Sequence, residues 1–222
     1  MSVIYGVDQS AFPGSSSMAW LASNGPFRVT GFYLGPAPNH SDAGWMTQRA
    51  PLAVAGWGFL PVYVGLQAQN SSLGASRGTT DGQAAVSLMR QAKFPAGSVV
   101  YLDIETGGPL ASNFEDYVNA WVAAVEASPT CMAGIYCSHN LLSWAQAKTP
   151  AVWTYHIPDS GGQTFDPAAL PAGTIDPGAI ATQYRQNVYL EGYGSPPKVV
   201  DLNVCLVADP SNVASVRHAL GV

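Results

Sequence analysis

A single-domain (β/α)8 barrel, a TIM-like α/β fold, is the architecture that this 222-residue sequence predicts. Three observations point there. Eight short segments rich in apolar, β-branched and aromatic residues alternate with helix-like stretches, the pattern of a parallel sheet whose crossovers are helices. The length suits a small barrel of this kind. Neither an internal repeat nor a linker divides the chain, so residues 1–222 read as one domain. An open doubly wound sheet is the second architecture that the alternation allows.

The strand candidates are VIYGVD (3–8), RVTGFYL (28–34), FLPVYVG (59–65) and SVVYLDIE (98–105), then MAGIYC (132–137), AVWTYHI (151–157), AIATQYR (179–185) and KVVDLNV (198–204). Two helices between them are well marked. The first, over about 80–93, begins with Thr80-x-x-Gln83 at capping-box spacing. The second begins with Ser112-x-x-Glu115. It carries Phe114, Tyr117, Val118, Trp121, Val122 and Val125 at i, i+3, i+4, i+7, i+8 and i+11, one face of a helix. Shorter helices are expected at 16–23, 44–56, 139–147 and 210–219, and the Pro- and Gly-rich stretch 158–178 reads as a long loop.

Composition narrows the function classes. Hydrophobic residues make up 47% of the chain, which rules against disorder. Charged residues are only 10%, well under the roughly 25% of an average soluble domain. A surface so poor in charge suits an extracytoplasmic or virion-associated protein. The net charge of −5, with nine scattered Lys and Arg, offers no basic patch, so nucleic acid is not an expected partner. No run of about 18 apolar residues predicts a membrane span, and no charged segment followed by an apolar one reads as an export signal. Delivery would then follow removal of a leader or use another machine. Cys131 and Cys137 flank one strand and would stand about 20 Å apart along it, too far to bridge. With Cys205 they read as buried free thiols.

The acids are the informative residues. Asp103 and Glu105 stand two apart on the strand YLDIE, so both face the same side of the sheet. Two carboxylates side by side on a buried strand repel one another and lose hydration unless the strand end opens on water. In a barrel it does: functional groups gather at the carboxyl ends of the strands. Asp8 closes the first strand and Asp201 lies near the end of the eighth, neighbours when the barrel closes. Each has a plainer explanation, a helix cap for Asp8 and a loop hydrogen bond for Asp201. Their common position favours a site. Tyr33, Tyr63, Gln67, Tyr136, Tyr155 and Gln183 lie at or just after strand ends, where aromatic faces stack on sugars and amides read hydroxyl and N-acetyl groups. Trp153 reads as core.

GVDQS (6–10), YLDIE (101–105), GIYCS (134–138), TQY (182–184) and VDLN (200–203) occur in an order that resembles glycoside hydrolase family 25, lysozymes that cut peptidoglycan at N-acetylmuramic acid. TTDGQAAVSLMRQAKFPAGSVVYLDIE resembles still more closely the related glycoside-hydrolase-like domain of unknown function 1906. The likeness runs over roughly 3–204. It implies that Glu105 is the general acid, with Asp103, Asp8 and Asp201 completing the site. Burial and three neighbouring acids should raise the Glu105 pKa. Asp201 or Asp103 would orient an N-acetyl group or activate water. One departure is plain: the second strand ends GFYLGPAPNH, without the acid or lysine of the family 25 motif there.

Two functions follow as expectations. One is a glycosidase, an N-acetylmuramidase-like enzyme acting on peptidoglycan or a related N-acetylated polysaccharide. The other is a non-catalytic wall-binding or structural barrel within a larger secreted or virion assembly. No cofactor or metal is expected. A metal-dependent hydrolase using His156 with Asp103 is disfavoured, because His40, His139, His156 and His218 form no two-His ligand spacing. No phosphate-binding loop or nucleophile elbow is present.

Overall fold

The computed structural model describes residues 3–156 and 161–222. Nine strands form one sheet: β1 (Ile4–Asp8), β2 (Phe27–Tyr33), β3 (Gly58–Tyr63), β4 (Ser98–Ile104), β5 (Cys131–Ser138), β6 (Ala151–Tyr155), β7 (Thr164–Phe165), β8 (Ala181–Leu190) and β9 (Val199–Cys205). Their order is β6-β5-β4-β3-β2-β1-β9-β8-β7, and β6 also pairs with β8. That pairing closes an eight-stranded barrel, with the two-residue β7 outside it. The expected barrel is present.

One strand direction departs from the parallel sheet expected. β9 runs antiparallel to both β1 and β8. A strand that returns through a hairpin needs no crossover helix, and none lies between β8 and β9. Apolar alternation is the same for either direction, so the sequence pattern carries no sign of the reversal. Its consequence is functional. Because β9 runs downward, its first residues, not its last, stand at the rim where β1 to β6 end. Asp201, third in β9, is paired in register with Asp8, the last residue of β1.

The helices are α1 (Ser15–Asn24), α2 (Arg49–Val54), α3 (Ala75–Gln91), α4 (Ser112–Glu126), α5 (Leu142–Gln146) and α6 (Val213–Leu220), with a 3-10 turn at His139–Leu141. On α4, Phe114, Tyr117, Val118, Trp121 and Val125 are fully buried against the barrel wall, each contributing roughly 1.5–3 kcal/mol by leaving water. The capping box expected at Thr80 does not form, and no side-chain cap forms at Ser112 either. α3 begins five residues before Thr80, whose hydroxyl donates to Ser76 O within the helix. α4 is preceded by Ala111 with no side-chain cap, and Glu115 accepts from Trp144 Nε1 instead. The stretch 158–178 carries β7. Ile157, expected to end the sixth strand, lies outside the described residues, as do 158–160.

The barrel interior is packed rather than open. Leu60, Val62, Val99, Tyr101, Met132 and Trp153 fill it, and Val216 of α6 joins them from below. Tyr101 donates to Pro210 O, tying the interior to the segment before α6. Facing glycines make this possible: a Cβ at Gly134 would meet the Tyr101 ring at 2.6 Å, and one at Gly31 would meet Asp8 Cβ at 2.4 Å. With the base filled by these apolar residues, Asp8, Asp103 and Asp201 stand at the carboxyl-end mouth. Cys137 and Cys205 are buried and Cys131 half-buried, all three as free thiols. No helix among the described residues is long and apolar enough to cross a membrane.

Candidate active site

Asp8 is buried between two donors. Tyr33 of β2 donates to its Oδ1 at 2.8 Å, and Asn203 of β9 donates to its Oδ2 at 2.7 Å. Asn203 is fixed in turn by Trp153 Nε1, which donates to its Oδ1 at 3.0 Å. Asp8 therefore caps no helix. Asp201 accepts the backbone N–H of Asn187 at 2.6 Å. Asn187 sits in the irregular part of β8, where the register slips between Arg185 and Val188, and takes a left-handed φ of 54°.

Asp103 and Glu105 share one face at the end of β4, as their spacing predicts, yet their settings differ. Asp103 is 6% exposed and its Oδ1 has no hydrogen-bond partner. Glu105 is exposed at the lip. The burial expected for Glu105 thus falls on Asp103 instead, because one strand step of two residues carries the side chain from the packed interior to the solvent edge. Gln67 holds the backbone between them: its Nε2 donates to Asp103 O and its Oε1 accepts from Glu105 N, both at 3.1 Å. Tyr155 also donates to Glu105 O, at 2.6 Å.

Two adjoining depressions open on these groups. One of about 320 Å³ is lined by Asp8, Gln9, Ser10, Tyr33, Asn187 and Asp201. The other, about 190 Å³, is lined by Asp103, Glu105, Tyr136, Trp153, Asn39 and His40 and shares Ser10, Tyr33 and Asp201 with the first. Burial sets the electrostatics. It lifts Asp8 to about 6 against the opposing hydrogen bonds from Asn203 and Tyr33. It lifts Asp201 to about 8, with the Asp8 charge adding and the Asn187 N–H opposing. Asp103 goes well above the usual carboxylate range through burial and then the charges of Glu105 and Asp8. Burial thus favours the proton-bearing form of Asp201 and Asp103 at the mouth, a condition for acid catalysis near neutral pH.

Of the polar residues expected at the strand ends, Tyr33 and Tyr136 line the cavity. Gln183 is buried and accepts from Tyr136 Oη at 2.8 Å, and Tyr155 packs 5.2 Å from the Tyr136 ring. Gln67 lies at the edge, its amide engaged with the backbone. Tyr63 is not brought to the mouth. It alternates out of phase with Leu60 and Val62, and its ring packs 6.3 Å from Trp121 in the helix layer. Val62 and Val64, not Tyr63, line the cavity from β3. His156 pairs with Asp176 at 2.8 Å and stacks on His139, away from Asp103. Among the described residues no group of three or more His, Cys, Asp or Glu could hold a metal ion. Asn203, His40 and Ser10 were not singled out from sequence. Asn203 alone had a signal: it stands two residues after Asp201 and so faces the same way.

A family model described as the Rv2525c-like, glycoside hydrolase-like domain matches residues 19–205. The chain belongs to this family. Three solved structures share its fold. Rv2525c, the Tat-secreted protein of Mycobacterium tuberculosis solved in complex with L-tartrate, is 17% identical with a TM-score of 0.63, covering 93% of this chain and 97% of its own. A family 25 glycosyl hydrolase from Bacillus anthracis is 10% identical with a TM-score of 0.57, covering 92% and 89%. The modular autolysin LytC from Streptococcus pneumoniae, solved with a synthetic peptidoglycan ligand, is 11% identical with a TM-score of 0.52, covering 91% of this chain and 46% of LytC. No curated protein matches. This glycoside hydrolase-like barrel is therefore structurally related to the family 25 hydrolases, as the motif order implied.

Proposed function

We propose that this protein hydrolyses a glycosidic bond in peptidoglycan or a related N-acetylated polysaccharide, acting outside the cytoplasm as its Tat-secreted relative is placed to do. One observation carries the reading: Asp103, Glu105 and Asp201 line a single cavity with the aromatic side chains of Tyr136 and Trp153. A glycosidic oxygen leaves only with a proton, and a second carboxyl must act on the other side of the reacting carbon. Glu105, at the lip, is the group a bound sugar reaches first, and we assign it the acid–base role. Asp103 or Asp201 orients the N-acetyl group or activates water. Asp8, its two oxygens held by Tyr33 and Asn203, sets the field in which Asp201 works.

The same occupied oxygens also suit a second reading, a polysaccharide-binding barrel whose acids serve only as hydrogen-bond acceptors. Reducing-sugar release and co-sedimentation with purified peptidoglycan, measured for the wild type and for Glu105→Gln, separate the two. The glycosidase reading expects release from the wild type only, with both proteins pelleting. Sedimentation of both without release from either would leave the binding barrel.

A further inference from the structure

The hydrogen-bonded pairing of β3 with β4 stops at Tyr63 and Leu102. Beyond it the chain leaves the barrel wall, yet the carboxyl end of β4 still lies in order beside a neighbour. Gln67 supplies that neighbour. In a parallel ladder, one residue on the adjacent strand takes the N–H of residue i+1 with its C=O and gives its own N–H to the C=O of residue i−1. The Gln67 side chain does this around Ile104: it accepts from Glu105 N and donates to Asp103 O. Its primary amide stands in for the N–H and C=O of a missing strand residue and extends the ladder by one step, to the residue that carries the lip carboxyl.

A side chain can do this only if its own backbone is held, and the hold comes from outside the barrel. Leu66 N, next to Gln67, donates to Tyr117 Oη of α4 at 3.2 Å. Tyr117 Oη donates in turn to Asp81 Oδ2 of α3 at 2.8 Å, and Arg77 Nε donates to Asp81 Oδ1 at 2.7 Å. Asp81 is 3% exposed and Tyr117 fully buried. By accepting the hydrogen bond from the hydroxyl, Asp81 leaves the Tyr117 oxygen free to accept from Leu66 N. The contact is made possible by small residues: a Cβ at Gly65 would meet Tyr117 Oη at 2.4 Å, and one at Gly78 would meet Tyr117 O at 2.1 Å. The series Asp81–Tyr117–Leu66–Gln67 thus runs from the helix layer to the Glu105 amide without an apolar gap.

We propose that Gln67, and Asp81 and Tyr117 behind it, are positioning residues that fix Glu105 at the cavity mouth through its backbone. The catalytic consequence rests on the glycosidase reading; the structural one does not. The test is amide hydrogen exchange, followed by NMR, in the wild type, Gln67→Met and Tyr117→Phe, with Val100 deep in β4 as the internal reference. Gln67→Met keeps the side-chain length and removes both hydrogen bonds, and Tyr117→Phe deletes one hydroxyl. The expected result is exchange at Glu105 faster by about tenfold or more relative to Val100 in Gln67→Met, a loss of about one hydrogen bond. Tyr117→Phe should accelerate Leu66 and Glu105 together. Unchanged exchange at Glu105 in Gln67→Met, or a uniform acceleration of all amides in Tyr117→Phe, would overturn the proposal. Where the wild type releases sugar, kcat should fall roughly 10–100-fold in Gln67→Met with KM within about twofold, as displacement of a reacting group predicts. An inactive wild type with the exchange pattern intact would sink the glycosidase reading and leave the positioning role standing.

Discussion

Replacing Asp8 by asparagine should stabilise the protein in mild alkali and leave it almost unchanged in acid. Asp8 is 2% exposed, and its pKa is lifted from an ordinary 3.8 to about 6 by burial. The folded state therefore keeps a proton that the unfolded chain has already released between these values. For an acid shifted upward, the associated stability is fully present below pH 4, is lost as pH rises through about 6, and is constant above. The displacement corresponds to about 3 kcal/mol at roughly 1.4 kcal/mol per pKa unit. An asparagine of the same shape keeps the local bonds: its carbonyl accepts from Asn203, and its amide donates to the Tyr33 hydroxyl. It bears no charge to bury, so the variant should escape most of the loss. Removing the Asp8 charge should also bring Asp201 down from about 8, since that charge is the second cause of its elevation. Urea unfolding at pH 4, 6 and 8, extrapolated to water, measures the difference. A gain of about 1–3 kcal/mol at pH 8 that vanishes at pH 4 is expected. A variant destabilised more at pH 8 than at pH 4 would refute the reasoning, for it would mean that Asp8 is held as a carboxylate the fold prefers.

Two further predictions test the packing around the site. Gly31→Ala places a methyl group 2.4 Å from Asp8 Cβ, and such overpacking should cost about 1–3 kcal/mol in urea unfolding; a neutral result would show that β1 and β2 separate freely at the rim. Trp153→Phe removes the donor to Asn203 Oδ1 in a fully buried setting. It should cost about 1–3 kcal/mol through the orphaned acceptor, with Asp8 titrating higher in carbon-detected NMR as the Asn203 amide loosens; an unmoved Asp8 would uncouple the two.

Much of the site was legible because its information is local. The spacing of Asp103 and Glu105 fixes their common face, since successive strand residues alternate sides whatever the fold around them. The apolar stripe of α4 follows from helical periodicity in the same way. Tyr63 could have been placed correctly by that rule, because Leu60, Val62 and Val64 mark the inward phase and Tyr63 breaks it.

By itself the sequence determined the alternating elements, favoured the barrel as their closure, and set Asp8, Asp103 and Glu105 at strand ends. The tertiary structure alone decided which of those acids is buried and which strand runs backward. Direction leaves no trace in a period-two pattern, so only the closed sheet shows that Asp201 reaches the rim from the beginning of β9. Burial likewise belongs to the whole packing. Asp103 and Glu105 are two residues apart and chemically alike, yet the filled barrel interior ends between them, leaving one carboxyl buried with its pKa raised and the other facing water.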